Sequence, residues 1–269
     1  MVRRTTTPRR PRGDEPAIVP AASDRLQIAA QIFAPSTAAL LDALPAGHPT
    51  AVLDLGCGPG HSTKLLAERF TSAEVTGADI SAGFLAEAAS LVPAARFVRH
   101  DVTATPLPRA PLELAYGRLV LADLGHPVGL VERWASQLVE RGWLVLEDLE
   151  WIRTDEPAFL GYLDVAALSR RAEGKELYAG QLLAAMAPPR GTAVVHAAVR
   201  TVTPTAAQVA AMSMLDLAAR RDQILTSGTH SEQELDEVEA ALAPFLRDAR
   251  RTVVTFGVRQ TALRRWGGR

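Results

Sequence analysis

The stretch "VLDLGCGPGHST", residues 52–63, decides the fold that this sequence predicts. An apolar run includes Asp54, glycine then occupies every second position (Gly56, Gly58 and Gly60), and a helix-forming segment begins at His61. A strand that leads through a glycine turn into a helix brings backbone groups and a helix N-terminus close to a ligand. The stretch therefore predicts a ligand-binding β–turn–α unit.

Strands and helices alternate on both sides of this unit. A helical region at 24–44 is divided into two helices by Pro35 and Ser36; strands are predicted at 51–55, 74–79, 95–101, 112–116 and 142–151, and helices at 61–70, 82–91 and 129–141. This alternation predicts an α/β fold with a mostly parallel sheet and right-handed crossovers. Ligands of such sheets bind beyond the carboxyl ends of the strands.

The pattern changes after Trp151. Helices are predicted at 157–171 and 175–187, a strand at 193–202, two further helices, and a last strand at 251–263. The helix just before the last strand is amphipathic, with its apolar positions on one face: Leu235, Val238, Leu242, Phe245 and Leu246. No linker separates domains, so we predict one domain at 21–269, with helical insertions at 152–190 and 204–248 over the active edge of the sheet. Residues 1–20 are predicted to be a disordered basic tail.

Composition narrows the classes of function. The net charge is −1 and charged residues make up 22% of the chain, which argues against nucleic acid or an anionic membrane as a partner. The single cysteine excludes an intrachain disulfide and fits a reducing, cytoplasmic location. No metal-ligand spacing is recognisable. We expect a monomer or homodimer without a metal.

The residues around the glycine turn predict what it binds. A dinucleotide fingerprint would need glycine at the position of His61, which disfavours an NAD-dependent dehydrogenase. An acid before the turn, Asp54, instead suits a cationic ligand such as S-adenosylmethionine (SAM), which carries an ammonium and a sulfonium. Asp79 ends the second strand, where an acid takes ribose hydroxyls. Asp101 ends the third strand, within reach of an adenine amino group.

These segments carry a family resemblance. "VLDLGCGPG", "GADIS" and "RHDVT" resemble the first three motifs of class I SAM-dependent methyltransferases, and "LELAYGRLVL" resembles the fourth. The final "TVVTFGVRQTALRR" is similar to the closing strand of that fold. The closest likeness is to small-molecule enzymes of the secondary-metabolism and quinone-biosynthesis type. The resemblance implies a Rossmann-like sheet of seven strands in the order 3-2-1-4-5-7-6, with strand seven antiparallel, and N-terminal cap helices.

The resemblance also implies a set of cofactor contacts. Backbone groups of Gly56, Cys57 and Gly58 would meet the amino-acid end of SAM, with Asp54 and His61 close by. The other implied contacts are Asp79 and Ile80 to ribose and adenine, Asp101 and Val102 to adenine, Tyr116 to the methionine part, and Gln31 on a helix that closes the pocket. Asp101 as a turn cap and His61 as a structural residue are alternatives that the sequence leaves open.

Three residues are candidates for the methyl-acceptor side. His126 follows the fourth strand, where an imidazole can deprotonate a hydroxyl, and Glu150 and Trp151 end the fifth strand. A solvent-exposed loop histidine is the simpler interpretation of His126. We predict transfer of a methyl group from SAM, leaving S-adenosylhomocysteine, to an O or C atom of a small, largely apolar or aromatic metabolite. The alternatives are a non-methylating SAM reaction, such as a cyclisation or rearrangement, and a non-catalytic SAM-binding module.

Overall fold

The computed structural model describes residues 18–247 and 252–266, so residues 1–17 of the predicted tail lie outside the described part. The strands are β1 (Ala51–Leu55), β2 (Glu74–Asp79), β3 (Arg96–Arg99), β4 (Leu112–Arg118), β5 (Leu138–Arg153), β6 (Thr192–Val202) and β7 (Thr255–Arg265). The α-helices are α1 (Ile18–Ala43), α2 (His61–Arg69), α3 (Ala82–Leu91), α4 (Pro127–Ser136), α5 (Pro157–Ala172), α6 (Ala179–Ala185), α7 (Ala206–Ser227) and α8 (Glu232–Leu242).

The seven strands form one sheet in the order β3-β2-β1-β4-β5-β7-β6. Strands β1 to β5 pair in parallel, and β7 is antiparallel to both β5 and β6. The predicted Rossmann-like topology is therefore confirmed. Asp54 of β1 lies beside Gly77 of β2 and Tyr116 of β4, so the carboxyl ends of the central strands reach the same edge of the sheet.

Helix α1 differs from the prediction of two helices, because it runs without a break through Pro35. Proline removes one backbone hydrogen bond from a helix interior, at a cost of about 3 kcal/mol. Apolar residues on both sides of the proline are buried: Phe33 packs among the helices of the second half, and Leu40 and Leu41 pack under β1 and α2. Burial of these side chains, each contributing about 1.5–3 kcal/mol, offsets the lost bond.

Other differences concern the ends of elements. Helix α4 ends at Ser136 rather than near residue 141, because β5 already begins at Leu138. The helix predicted at 175–187 is reduced to α6. Leu246 is 43% exposed, because α8 ends at Leu242 and a 3₁₀ turn carries the chain off the helical period.

Helices α5, α7 and α8 pack with α1 and β7 around one hydrophobic cluster, which includes Phe159, Leu217, Leu235 and Phe256. This helical cap covers the sheet beside the carboxyl ends of β4 and β5. None of the helices within the described ranges is long and apolar enough to cross a bilayer.

Candidate functional site

The glycine turn after β1 requires glycine for steric reasons. Gly56, Gly58 and Gly60 have φ angles of +65°, +52° and +89°, which other residues rarely adopt. A Cβ atom on Gly56 would lie 2.6 Å from Cγ2 of Val120, and one on Gly60 would lie 2.9 Å from Cβ of Ala88. The turn is therefore packed tightly between the loop after β4 and helix α3.

Two amides of this turn are used inside the protein. The Cys57 N–H donates to the Ala78 carbonyl at 3.0 Å, and the Gly58 N–H donates to Oδ2 of Asp79 at 2.9 Å. These bonds hold the turn against β2, so the two N–H groups are not free for a phosphate. Burial raises the pKa of the Cys57 thiol, so it is protonated and serves as a small side chain packed beneath Gly77.

Asp54 connects the end of β1 to the first turn of α2. Its Oδ2 accepts hydrogen bonds from the hydroxyls of Ser62 and Thr63, both at 2.7 Å. Among the described residues its Oδ1 has no partner, although the carboxylate is fully buried. Burial raises the pKa of Asp54 to about 6, and the two hydroxyls oppose this rise. The free Oδ1 is an acceptor that a cofactor ammonium can satisfy.

Asp79 and Ile80 lie at the carboxyl end of β2. Besides the Gly58 amide, the half-buried carboxylate of Asp79 accepts the Ser81 N–H at 2.9 Å, so it holds both the turn and the start of α3. The side chain of Ile80 is 60% exposed and offers an apolar surface of the kind that an adenine ring covers. Both residues remain candidates for the adenosine contact.

The two residues after β3 are engaged differently. Oδ1 of the exposed Asp101 accepts the backbone N–H and the hydroxyl of Thr103, at 2.8 and 2.7 Å, as a turn cap does. Val102 is buried, and its carbonyl accepts the indole N–H of Trp134 at 2.8 Å. The Val102 side chain therefore belongs to the core, and an adenine contact from this segment is left to Asp101 and the backbone.

Three further predicted cofactor residues occupy distinct environments. Tyr116 is fully buried and its hydroxyl donates to Oε2 of Glu147 at 2.5 Å, so its side chain is a core residue and the predicted contact to the methionine part is left to its backbone. His61 is half-buried at the start of α2; burial and the charge of Arg118 lower its pKa, which keeps it neutral near pH 7. Gln31 is exposed on α1 and does not line the cavity described next.

A cavity opens between the helical cap and the carboxyl ends of β4 and β5. It encloses about 800 Å³, counting the part that is open to solvent. Most of its wall is apolar and comes from α1, α5, α7 and strands β5 and β7: Ala29, Phe33, Leu119, Leu149, Ile152, Phe159, Leu163, Leu177, Val209, Met212, Val254 and Phe256. Such a wall suits the carbon skeleton of a small molecule.

The cavity also has a polar wall centred on the buried Asp216. Its carboxylate accepts the Tyr162 hydroxyl at 3.0 Å and two bonds from Arg170, both at 3.4 Å, and Nε of Arg25 lies 3.6 Å away. Burial by itself raises the pKa of Asp216, but the arginines outweigh it and hold the pKa below its usual value. The hydroxyl of the buried Ser213, which also lines the cavity, has no partner among the described residues.

The three predicted acceptor-side residues do not line this cavity. His126 is exposed and caps α4 in a left-handed conformation, with φ at 56°. Glu150 pairs with Arg259, and the Trp151 ring lies against Gly257. The cause is an irregularity in β5 between Leu149 and Trp151, which breaks the alternation so that Leu149 and Ile152 face the cavity instead.

Sequence reasoning missed the polar wall. Arg170 falls eight residues after Tyr162 on α5, and Asp216 falls three after Ser213 on α7, so each occupies a helical position on an otherwise apolar face. A charged residue at such a position is the pattern that could have identified them. Among the described residues there is no group of three or more His, Cys, Asp and Glu side chains that could hold a metal ion.

Comparison with known proteins links the part of the chain that contains the glycine turn to one family. Residues 52–142 match the family described as "Methyltransferase domain". A trans-aconitate 2-methyltransferase of Methylobacterium nodulans is 37% identical over 148 residues, which are 55% of this chain and 54% of that protein. One of Paracidovorax citrulli is 39% identical over 129 residues, 48% of this chain and 49% of that protein. The chain thus spans about half the length of these curated relatives.

The structural similarity to known proteins covers more of the chain than the sequence similarity does. The solved structure of the mycolic acid cyclopropane synthase CmaA1, complexed with S-adenosylhomocysteine and CTAB, superposes with a TM-score of 0.52. The match covers 86% of this chain and 83% of that one, at 16% identity. This similarity therefore includes the helical cap as well as the sheet.

Proposed function

We propose that this chain, whose residues 52–142 match a methyltransferase domain, transfers the methyl group of SAM to a small organic acid held in the cavity. The acceptor atom is a carboxylate oxygen, and the apolar wall of the cavity covers the carbon skeleton of the acceptor. The sequence leaves open whether the methylated atom is O or C, so the proposal of a carboxylate oxygen is narrower.

The cofactor assignment is supported by the edge of the sheet. Asp54 has a buried, unpartnered Oδ1 that suits the ammonium, and Asp79 and Ile80 lie at the carboxyl end of β2, where we expect ribose and adenine. The Cys57 and Gly58 amides of the turn are engaged within the protein, which disfavours a pyrophosphate there. S-adenosylhomocysteine is the expected product.

The observation that carries the acceptor proposal is the position of Arg25. It lines the cavity, and its Nε is 3.6 Å from Asp216, beyond hydrogen-bond distance. A guanidinium presents five N–H donors in a planar fork that suits a carboxylate. The curated relatives are named for trans-aconitate, a tricarboxylate, and this agrees with an acidic acceptor.

The chemistry requires little from the protein beyond position. Methyl transfer from a sulfonium is an in-line displacement with a good leaving group, so orientation and exclusion of water supply most of the rate. A carboxylate oxygen attacks the methyl carbon as the C–S bond breaks, and no proton has to be removed. The absence of a required base is consistent with the exposed position of His126.

We expect the protein to increase the mass of a carboxylic acid by one CH₂ unit with SAM, with trans-aconitate as the first acceptor to try. Arg25→Met should lower kcat/KM by about 10- to 150-fold, the effect of a lost charged hydrogen bond of about 1.5–3 kcal/mol. The loss should fall mainly on KM for the acid. Gln27→Met, an exposed position on the same helix, is the matched control.

The mass of the product distinguishes methylation from the alternative reactions of SAM. SAM consumed without a gain in acceptor mass would indicate a rearrangement rather than methylation. If Arg25→Met methylated acids as well as the unmodified protein did, the carboxylate assignment would be wrong while the methyltransferase assignment stood.

A further inference from the structure

Arg118 is a cation at the edge of the sheet that the sequence analysis did not single out. It is the last residue of β4, and Tyr116, two residues before it, lies beside Asp54. Because parallel strands advance together, Arg118 lies at the level of Gly56, in the glycine turn. Its half-buried side chain therefore stands beside the turn that would hold the amino-acid end of a cofactor.

The hydrogen-bonding capacity of Arg118 is largely unused. Its Nη1 donates one long hydrogen bond, 3.4 Å, to the hydroxyl of Thr37 on α1. Within the described ranges it has no ion pair at 4.0 Å or less. The remaining donors of this guanidinium are therefore available to an anion.

The nearby acids are committed elsewhere. Oδ2 of Asp54 accepts from Ser62 and Thr63, and Glu147 accepts from the Tyr116 hydroxyl at 2.5 Å and from Nε2 of Gln260 at 2.8 Å. Asp54 is within the electrostatic surroundings of Arg118 without an ion pair to it. A bound carboxylate would supply the anion that these acids do not.

We propose that Arg118 binds the α-carboxylate of the methionine part of SAM. This inference rests on the proposed function, since it assigns one group of the proposed cofactor to one residue. Asp54 and Arg118 then form a complementary pair around a zwitterionic amino acid, with the ammonium toward Oδ1 of Asp54 and the carboxylate toward the guanidinium.

Helix α1 gives the contact a second role. The hydrogen bond from Arg118 to the Thr37 hydroxyl connects β4 to α1. Leu26, nearer the start of the same helix, lies 3.4 Å from the position that a Cβ on Gly58 would occupy. The helix thus covers the turn, and a carboxylate on Arg118 would be enclosed between α1 and β4. Enclosure from water strengthens such a charge-assisted hydrogen bond.

The test compares ligands that differ only in the amino-acid part. S-Adenosylhomocysteine carries the carboxylate, whereas 5′-methylthioadenosine keeps the adenosine and the thioether and lacks it. By calorimetry, Arg118→Gln should lower the affinity for S-adenosylhomocysteine by about 10- to 100-fold, as expected for loss of a charge-assisted bond. The affinity for methylthioadenosine should not change. Arg118→Lys should recover part of the loss.

The control is Arg69→Gln, which removes a cation from the far end of α2, where Arg69 pairs with Asp42. It should leave the affinities for both ligands unchanged. Equal affinity of Arg118→Gln and the unmodified protein for S-adenosylhomocysteine would overturn the inference alone. So would an equal loss for both ligands, which is the mark of a structural role. Failure of the unmodified protein to bind either ligand would overturn the proposed function as well.

Discussion

Asp216→Ala is expected to lower the free energy of unfolding by about 3–5 kcal/mol, the usual effect of removing one partner from a buried ion pair. The variant leaves the buried guanidinium of Arg170 without its two bonds, and the Tyr162 hydroxyl without its acceptor. The same substitution removes the acid that keeps Arg25 and Arg170 beside the cavity, so acceptor binding should fall as well. Urea denaturation, followed by circular dichroism, measures the loss of stability.

A double-variant cycle separates the charge effect from loss of packing. Asp216→Leu combined with Arg170→Met replaces the ion pair by apolar side chains, which is often neutral or stabilising in protein interiors. We expect the double variant to be more stable than Asp216→Ala. The exposed Asp222 lies on the same helix, and Asp222→Ala should change stability by no more than about 0.5 kcal/mol. If Asp216→Ala matched this control, the buried network would not stabilise the cap.

The second large effect is a pH dependence at Asp54. Burial raises its pKa in the folded state to about 6, from 3.8 in the unfolded chain, so the folded state binds more protons between these values. The contribution of Asp54 to stability therefore falls as the pH rises from about 4 to 6, by about 3 kcal/mol in all. Asp54→Asn, which cannot ionise, should lack this fall.

The comparison to make is the difference in unfolding free energy between Asp54→Asn and the unmodified protein at several pH values. The difference should grow in favour of the variant from pH 4 to 6 and stay constant above. SAM affinity of the variant should drop, because the negative charge facing the ammonium is gone. Asp24→Asn, at an exposed position on α1, is the control for the loss of a carboxylate. A difference that does not vary with pH would contradict the burial effect.

The strands were predictable because their determinants are local, whereas the order of the sheet was predicted only from the family resemblance. Each parallel strand is a short apolar run followed by a turn. The positions of Asp54 and Asp79 were predictable because a glycine or a serine marks the end of the strand that carries each of them. The same holds for Cys57, whose position between two glycines left room for little besides a small buried side chain.

The acceptor side was not predictable in the same way, because its residues meet only through tertiary packing. Arg25, Arg170 and Asp216 come from three helices that are far apart in the chain. Along β5, regular alternation would bring Leu149 and Trp151 to one face, but the irregularity between them brings Ile152 to the cavity instead. A one-residue shift of this kind exchanges the faces of a strand and has no clear marker in the sequence.

The central claim is that the carboxyl edge of this sheet binds the zwitterionic, positively charged cofactor SAM rather than a dinucleotide. Calorimetric titration of the unmodified protein with SAM, S-adenosylhomocysteine and NAD⁺ tests it most directly. We predict dissociation constants in the micromolar range for the first two and no heat of binding for NAD⁺. Binding of NAD⁺ without binding of SAM would contradict the account.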